Sequence, residues 1–351
     1  MSSKEKFLKI IQILSLTLAL GVTIAPHVRA QQGAKPDVQM KAVLDQLAAL
    51  HPKPISTLTP VEARKQPSPA DAVKALLKKQ GKSVDPESVA KVENSVIPGP
   101  GGDIPIRVYT PKGVGPFPVV VYVHGGGWVL ANLDTYDASP RALANLAQAV
   151  IVSVEYRHAP EFKFPAAHED VYTALQYVIK NAEKMNGDPN RVAIAGESAG
   201  GNMAAAACLM ARDRKGLMPV YQVLVYPVAS TTFDTPSYIE NAKAKPLNAA
   251  MMRWFAHYTL NSPEDSKNPY LSLLLADVSG MPPATVITAQ IDPLRSEGRE
   301  YAENLEKAGV KVAYRNYLGV THEFFGMGAV VNKARLAEKF AAEGLKSAFV
   351  K

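Results

Sequence analysis

Three stretches of this chain, residues 119–123, 150–154 and 192–195, are short and almost wholly apolar. A strand turns alternate side chains to opposite faces, so a continuous apolar strand must be covered on both. That is the condition inside a parallel sheet. Helical patterns fall between and after these runs, at residues 141–148, 166–180 and 198–212. Two more apolar strands are expected at residues 222–226 and 284–290. A helix at 295–308, a strand at 311–317 and a helix at 333–348 complete the series. Such alternation, joined by right-handed crossovers, makes an α/β sheet.

The flanking segments differ. Residues 92–97 and 104–110 read as two strands around Pro98-Gly99-Pro100-Gly101-Gly102, a turn composition. Residues 31–90 are helical and broken by proline. Val43, Leu44, Leu47 and Leu50 share one face, as do Val73, Leu76 and Leu77 in a helix over 69–79. The alternation lapses between Pro227 and Pro282, and residues 231–270 read as helix and loop. This insertion and the 31–90 segment are expected to cap one end of the sheet. The sheet itself is expected within a single domain over 91–351.

Residues 1–30 read as a secretory signal peptide. Lys4, Lys6 and Lys9 precede a mostly apolar stretch at 10–24, and Val28-Arg29-Ala30 supplies small residues before a cut after Ala30. As a helix the stretch rises about 22 Å, short of the about 30 Å hydrocarbon core. The alternative is a retained membrane anchor. With cleavage the expected location is periplasmic or secreted, with no membrane partner. The segment carries a net +3 of the formal +7, leaving about +4 on 321 residues. The remaining Lys and Arg are scattered, without a basic and aromatic patch, so no nucleic-acid partner is expected. One cysteine, Cys208 in an Ala-rich stretch, excludes a disulfide scaffold and cysteine-based metal sites.

Two glycine-bearing motifs carry the chemistry. Gly196-Glu197-Ser198-Ala199-Gly200 follows an apolar strand and opens an Ala-rich helix. A G-x-S-x-G turn in that setting is a nucleophile elbow, its glycines avoiding clashes that a Cβ would cause. The alternative is a turn serine capping the helix. His124-Gly125-Gly126-Gly127-Trp128 follows the strand at 119–123. Bare backbone there can turn N–H groups towards an oxygen that gains negative charge in acyl transfer. No Lys-Ser/Thr follows, so a phosphate-binding P-loop is excluded. His124 reads as structural, holding the loop by hydrogen bonds.

Of the seven histidines, His322 lies in the loop after the last strand, at the carboxyl edge where parallel sheets build their sites. His158, His168 and His257 are expected in solvated or capping roles. His322-Glu323-Phe324-Phe325-Gly326 is not H-E-x-x-H, so a zinc protease is excluded. A carboxylate orienting the histidine should lie between Ser198 and His322, after a strand. Asp292 does, with Asp234 and Asp277 in reserve. Asp292 could instead cap the helix that starts near Arg295.

These motifs together resemble the hormone-sensitive-lipase family of α/β-hydrolases, bacterial esterases with an HGGG loop. The likeness runs from about residue 38 to the C-terminus. It includes Glu155-Tyr156-Arg157-His158-Ala159-Pro160-Glu161, Phe164-Pro165-Ala166-Ala167 and Asp292-Pro293-Leu294-Arg295-Ser296-Glu297-Gly298. The resemblance implies an α/β-hydrolase fold, a mostly parallel sheet flanked by helices, with a helical cap. It implies Ser198 as nucleophile, His322 as base and Asp292 as its orienter. The amides of Gly126, Gly127 and Ala199 would form the oxyanion hole. Glu197 stands where the family often has Asp, and Glu323 where many members have Gly, and both are expected to reshape the substrate pocket. Trp128 and Phe324 or Phe325 are expected to line it.

The function expected is a serine carboxylesterase on small-molecule esters with short acyl chains, failing below about pH 6 as His322 protonates. No metal or cofactor is required. An acetyl esterase on exported carbohydrates and a lactonase would use the same machinery. A non-catalytic ligand-binding protein would be expected to lack a triad residue, and none is missing. A homodimer is compatible with the sequence but not required by it.

Overall fold

The computed structural model describes residues 33–350, so the expected signal peptide and its cut after Ala30 lie outside the described residues. The chain begins with α1 (Val38–Ala49), α2 (Pro60–Ala63) and α3 (Pro69–Lys79). Asp37 starts α1 by accepting the Met40 amide at 2.9 Å. Ser68 and Asp71 cap α3 reciprocally, with Pro69 at its first position. A hairpin follows, β1 (Lys91–Gly99) and β2 (Gly102–Thr110), whose turn needs the positive φ of +119° at Gly102.

Strands and helices then alternate: β3 (Phe117–Val123), α4 (Ala138–Ala147), β4 (Val150–Val154), α5 (Ala166–Asn181), β5 (Gly187–Glu197) and α6 (Ala199–Asp213). After β6 (Gln222–Val225) come α7 (Pro236–Glu240) and α8 (Ala249–Thr259). The chain ends with β7 (Ala284–Ile291), α9 (Arg295–Lys307), β8 (Val312–Thr321) and α10 (Asn332–Phe349). Among the described residues, no helix is long and apolar enough to cross a membrane.

The eight strands form one sheet in the order β1-β2-β4-β3-β5-β6-β7-β8. β1 and β2 are antiparallel, as are β2 and β4, and every other pair is parallel. All of β3 is buried. Val119, Val121 and Val123 enter one apolar cluster, and Val120 and Tyr122 enter the other. Two-sided cover is why the run is continuously apolar. In α6 every residue of the Ala204–Ala207 stretch is fully buried, and these small side chains let the helix lie close to the sheet. Cys208 is buried beside them.

Two boundaries differ most from the sequence expectation. β5 starts at Gly187, because its first residues, Asp188 to Arg191, are polar and give no apolar signal. β8 runs on to Thr321, so His322 directly follows it. The insertion after β6 meets the N-terminal segment between α1 and α2: Trp254 Nε1 of α8 donates to the Leu58 carbonyl at 2.8 Å.

Val121 tests the sheet as a packed core. Val121→Ala removes two buried methyl groups and should destabilise the fold by about 2 kcal/mol, read as a lower urea midpoint with an unchanged slope.

Candidate active site

Ser198 sits between β5 and α6 with φ +58° and ψ −120°. Its amide donates to the Val225 carbonyl at 2.9 Å, and its own carbonyl accepts from the amides of Asn202 and Val228. Neighbouring strands and the helix therefore over-determine a backbone conformation that side chains rarely adopt. A Cβ on Gly196 would stand under 3.0 Å from the Gly200 carbonyl. One on Gly200 would stand as close to the carbonyl oxygens of Val123 and His124.

His322 Nε2 lies 2.9 Å from Ser198 Oγ, and His322 Nδ1 lies 2.7 Å from Asp292 Oδ2. All three residues are buried, from three separate loops at strand ends. The other Asp292 oxygen accepts the Leu294 amide at 2.9 Å, so Asp292 shapes its turn and contacts the histidine at once. Asp234 accepts from Thr232 and Asp277 from Ser279, and neither contacts His322.

Burial alone would lower the pKa of His322. The charge and hydrogen bond of Asp292, with Glu323 and Glu197 nearby, outweigh it and raise the pKa above its ordinary value.

The glycine loop turns sharply, with φ +103° at Gly126 and +60° at Gly127. Among the described residues, the amides of Gly126, Gly127 and Ala199 have no hydrogen-bond acceptor. His124 braces this loop: its Nδ1 lies 2.8 Å from the Gly125 carbonyl. Tyr156 stacks on the His124 ring at 4.4 Å and donates its hydroxyl to the carbonyls of both His124 and Gly125.

Ser198, His322, Gly126 and Gly127 line a cavity of about 920 Å³. Its apolar wall includes Leu44, Leu47 and Ile55 from the N-terminal segment, and Leu247, Met251 and Phe255 from the insertion. Arg64, Glu155, His158, Glu161 and Glu323 add polar lining.

Three expected pocket residues lie elsewhere. Trp128, at φ +62°, is buried and stacks on His168 at 6.3 Å between ring centres. Phe324 is fully buried against Tyr226 and Tyr317. Glu197 points beneath the site, where Tyr122 and Tyr226 donate to its carboxyl group. Burial pushes that carboxyl up to about 7. Phe325 is likewise buried.

Nor is His168 solvated: it is buried, with Nε2 2.9 Å from Asn202 Oδ1, while His158 is mostly buried beside Glu155. His257 is exposed, as expected. Glu323 does reach the cavity. Its φ of +69° explains why glycine suits this position, and its carboxylate accepts from the Tyr136 hydroxyl at 2.6 and 2.8 Å.

Sequence reasoning gave no role to Tyr136, Tyr156 or Tyr226, although Tyr156 lies in the Glu155 to Glu161 stretch that carries the resemblance. Tyr226 packs 4.4 Å from the His322 ring, yet in the sequence it is only the last residue of an apolar run.

An alpha/beta hydrolase family description matches residues 120–326. Carboxylesterase NlhH of Mycobacterium tuberculosis is 43% identical over 251 residues, 70% of this chain and 79% of that one. Ethyl acetate hydrolase of Pseudomonas putida is 34% identical over 286 residues, 80% and 88% of the two chains. The solved Pyrobaculum calidifontis esterase superposes with a TM-score of 0.80 at 40% identity, covering 89% of this chain and 98% of that one. The chain belongs to the hormone-sensitive-lipase-like family of α/β-hydrolases.

The elbow glycines should differ sharply in tolerance. Gly200→Ala meets unyielding carbonyls and should abolish folding or lower kcat by more than about 100-fold. Gly201→Ala meets Pro227 at 3.1 Å and should be the milder change. Thermal melting with steady-state kinetics compares them.

Proposed function

We propose that this chain is a serine carboxylesterase with Ser198 as nucleophile, His322 as general base and Asp292 as its orienter. The observation that carries this reading is His322 bridging Ser198 and Asp292 beside the bare loop of Gly126 and Gly127. The relatives' names support ester hydrolysis as the reaction.

Ser198 Oγ attacks the ester carbonyl carbon and passes its proton to His322 Nε2. The Gly126, Gly127 and Ala199 amides stabilise the oxyanion. The carbonyl re-forms, and the alcohol leaves with the proton from His322. Water, deprotonated by His322, then attacks the acyl-enzyme, and Ser198 Oγ leaves with the proton from His322 to release the acid. Asp292 holds the imidazole in the required tautomer and stabilises its cation.

The substrates are small esters with short acyl chains. The charged groups of Arg64, Glu155, Glu161 and Glu323 interrupt the apolar wall, which supports short chains over long ones. Nitrophenyl acetate and butyrate should exceed the palmitate in kcat/KM by roughly 10-fold or more. A palmitate preference would overturn the chain-length proposal. Export with a cut after Ala30 is part of the same reading, supported by the charge and apolar order of residues 1–30. Amino-terminal sequencing of the secreted protein should start at Gln31.

Ser198→Ala should lower kcat by roughly 10⁶-fold and Asp292→Asn by about 10⁴-fold. Wild-type rates equal to those of Ser198→Ala on every ester would refute the mechanism.

The pH dependence follows from the sign of the His322 shift. The base acts when neutral and its pKa is raised, so activity falls with pH through a midpoint above about 6.5. That lies higher than the sequence alone suggested. A kcat/KM profile with its acidic midpoint below the ordinary histidine value would contradict it.

A further inference from the structure

We propose that His124, Glu155 and His158 form a binding site for a divalent transition-metal ion of the zinc class, in the wall of the substrate cavity. The site is distinct from the three residues at Ser198 and goes beyond the esterase reading. The Nε2 atoms of His124 and His158 are buried and have no hydrogen-bond partner among the described residues. Each lies 3.7 Å from the same oxygen, Glu155 Oε1. The three candidate ligand atoms lie within 4.8 Å of one another.

The tautomer of His124 sharpens the case. Its Nδ1 faces the Gly125 carbonyl at 2.8 Å, and a carbonyl only accepts, so Nδ1 carries hydrogen. In the neutral ring, Nε2 then presents a lone pair. A lone pair opposite a carboxylate oxygen, on a fully buried ring, calls for a positive charge between them. The nearby cation, Arg64, is already engaged by Glu161 and by the carbonyls of Val129 and Ala159.

The geometry suits such an ion. Zinc bonds of about 2.0–2.2 Å in a tetrahedron put ligand atoms about 3.3 Å apart, so the two 3.7 Å separations from Glu155 need to close by a few tenths of an ångström and the His124–His158 pair, within 4.8 Å, by up to about 1.5 Å. A metal-bound histidine commonly donates its other ring nitrogen to a carbonyl, as His124 does to Gly125. Glu155 Oε2 is fixed by the Leu133 amide at 2.9 Å, which leaves Oε1 to the ion. Glu155 and His158 line the cavity, so a fourth position opens to water or a ligand oxygen. The ion would tie the loop that carries Gly126 and Gly127 to the strand-end segment after β4.

The test uses the full chain, freed of metal by a chelator and titrated with zinc chloride by calorimetry. Wild type should bind one equivalent, and cobalt(II) chloride should give the visible bands of a nitrogen- and oxygen-ligated ion. His158→Leu and Glu155→Gln should each weaken zinc binding by more than about 10-fold. Ser198→Ala should bind as wild type does. Circular dichroism verifies that the variants fold. Nitrogen-15 histidine spectra of wild type keep the test decisive if they do not, because zinc should shift the His124 and His158 Nε2 signals. The proposal is overturned if wild type binds no zinc, or if folded His158→Leu and Glu155→Gln bind it equally well. It is also overturned if both His124 nitrogens carry hydrogen and zinc leaves the spectrum unchanged, because a proton then fills the gap.

Discussion

No methyl group fits between Gly200 and the carbonyl oxygens of Val123 and His124. That contact brings the end of β3, the glycine loop and the first turn of α6 against one another. A larger residue would push the helix away from the loop and carry Ser198 with it. Gly125 makes a second such approach, to the Tyr136 hydroxyl. The strained backbone at Ser198, of the order of 1–3 kcal/mol for such a conformation, persists because the hydrogen bonds at its amide and carbonyl leave it no alternative. The hydroxyl and the unpaired loop amides therefore share one cavity wall.

A second constraint is the surplus of acid around the histidine. Asp292, Glu323 and Glu197 all raise its pKa, yet only Asp292 is hydrogen-bonded to it. Tyr136 holds Glu323, whose carboxylate stays 3.9 Å from His322 Nε2. Tyr122 and Tyr226 hold Glu197, and burial moves its carboxyl up to about 7, so near neutral pH much of its charge is absent. The two departures from the family pattern, Glu197 and Glu323, are thus each matched by tyrosine hydroxyls. Tyr226 also packs against the imidazole ring, which links the buried acid to the orientation of His322.

The order of strands and helices was legible in the sequence because burial on two faces imposes continuous apolar runs. The positions of Ser198 and Asp292 were legible because each follows such a run, and that of His322 because it lies past the last strand, although β8 itself is half-exposed and carries Arg315 and Asn316. Side-chain direction was not. Trp128 follows the three glycines, but its left-handed backbone turns the indole inward onto His168. Phe324 stands two residues after His322, near enough in sequence to reach the pocket, yet it packs into the core. Residue type gives apolarity, and only the local φ decides which way an apolar side chain faces. His168 misled for the opposite reason: its polar neighbours in sequence are not its neighbours in space, where Asn202 and Trp128 enclose it.

The insertion after β6 and the glycine loop meet at one further glycine. A Cβ on Gly127 would stand under 3.0 Å from the ring of Phe255, so α8 of the insertion rests directly on the bare loop. Trp254, the preceding residue, is tied to Leu58 of the N-terminal segment. The insertion therefore bears on the backbone of the glycine loop, and the N-terminal segment is tied to the insertion. A change in the packing of the insertion that enlarges the cavity would also free the loop at Gly127. In this fold, the shape of the cavity and the geometry of the glycine loop cannot vary independently, because Phe255 lines the one and rests on the other.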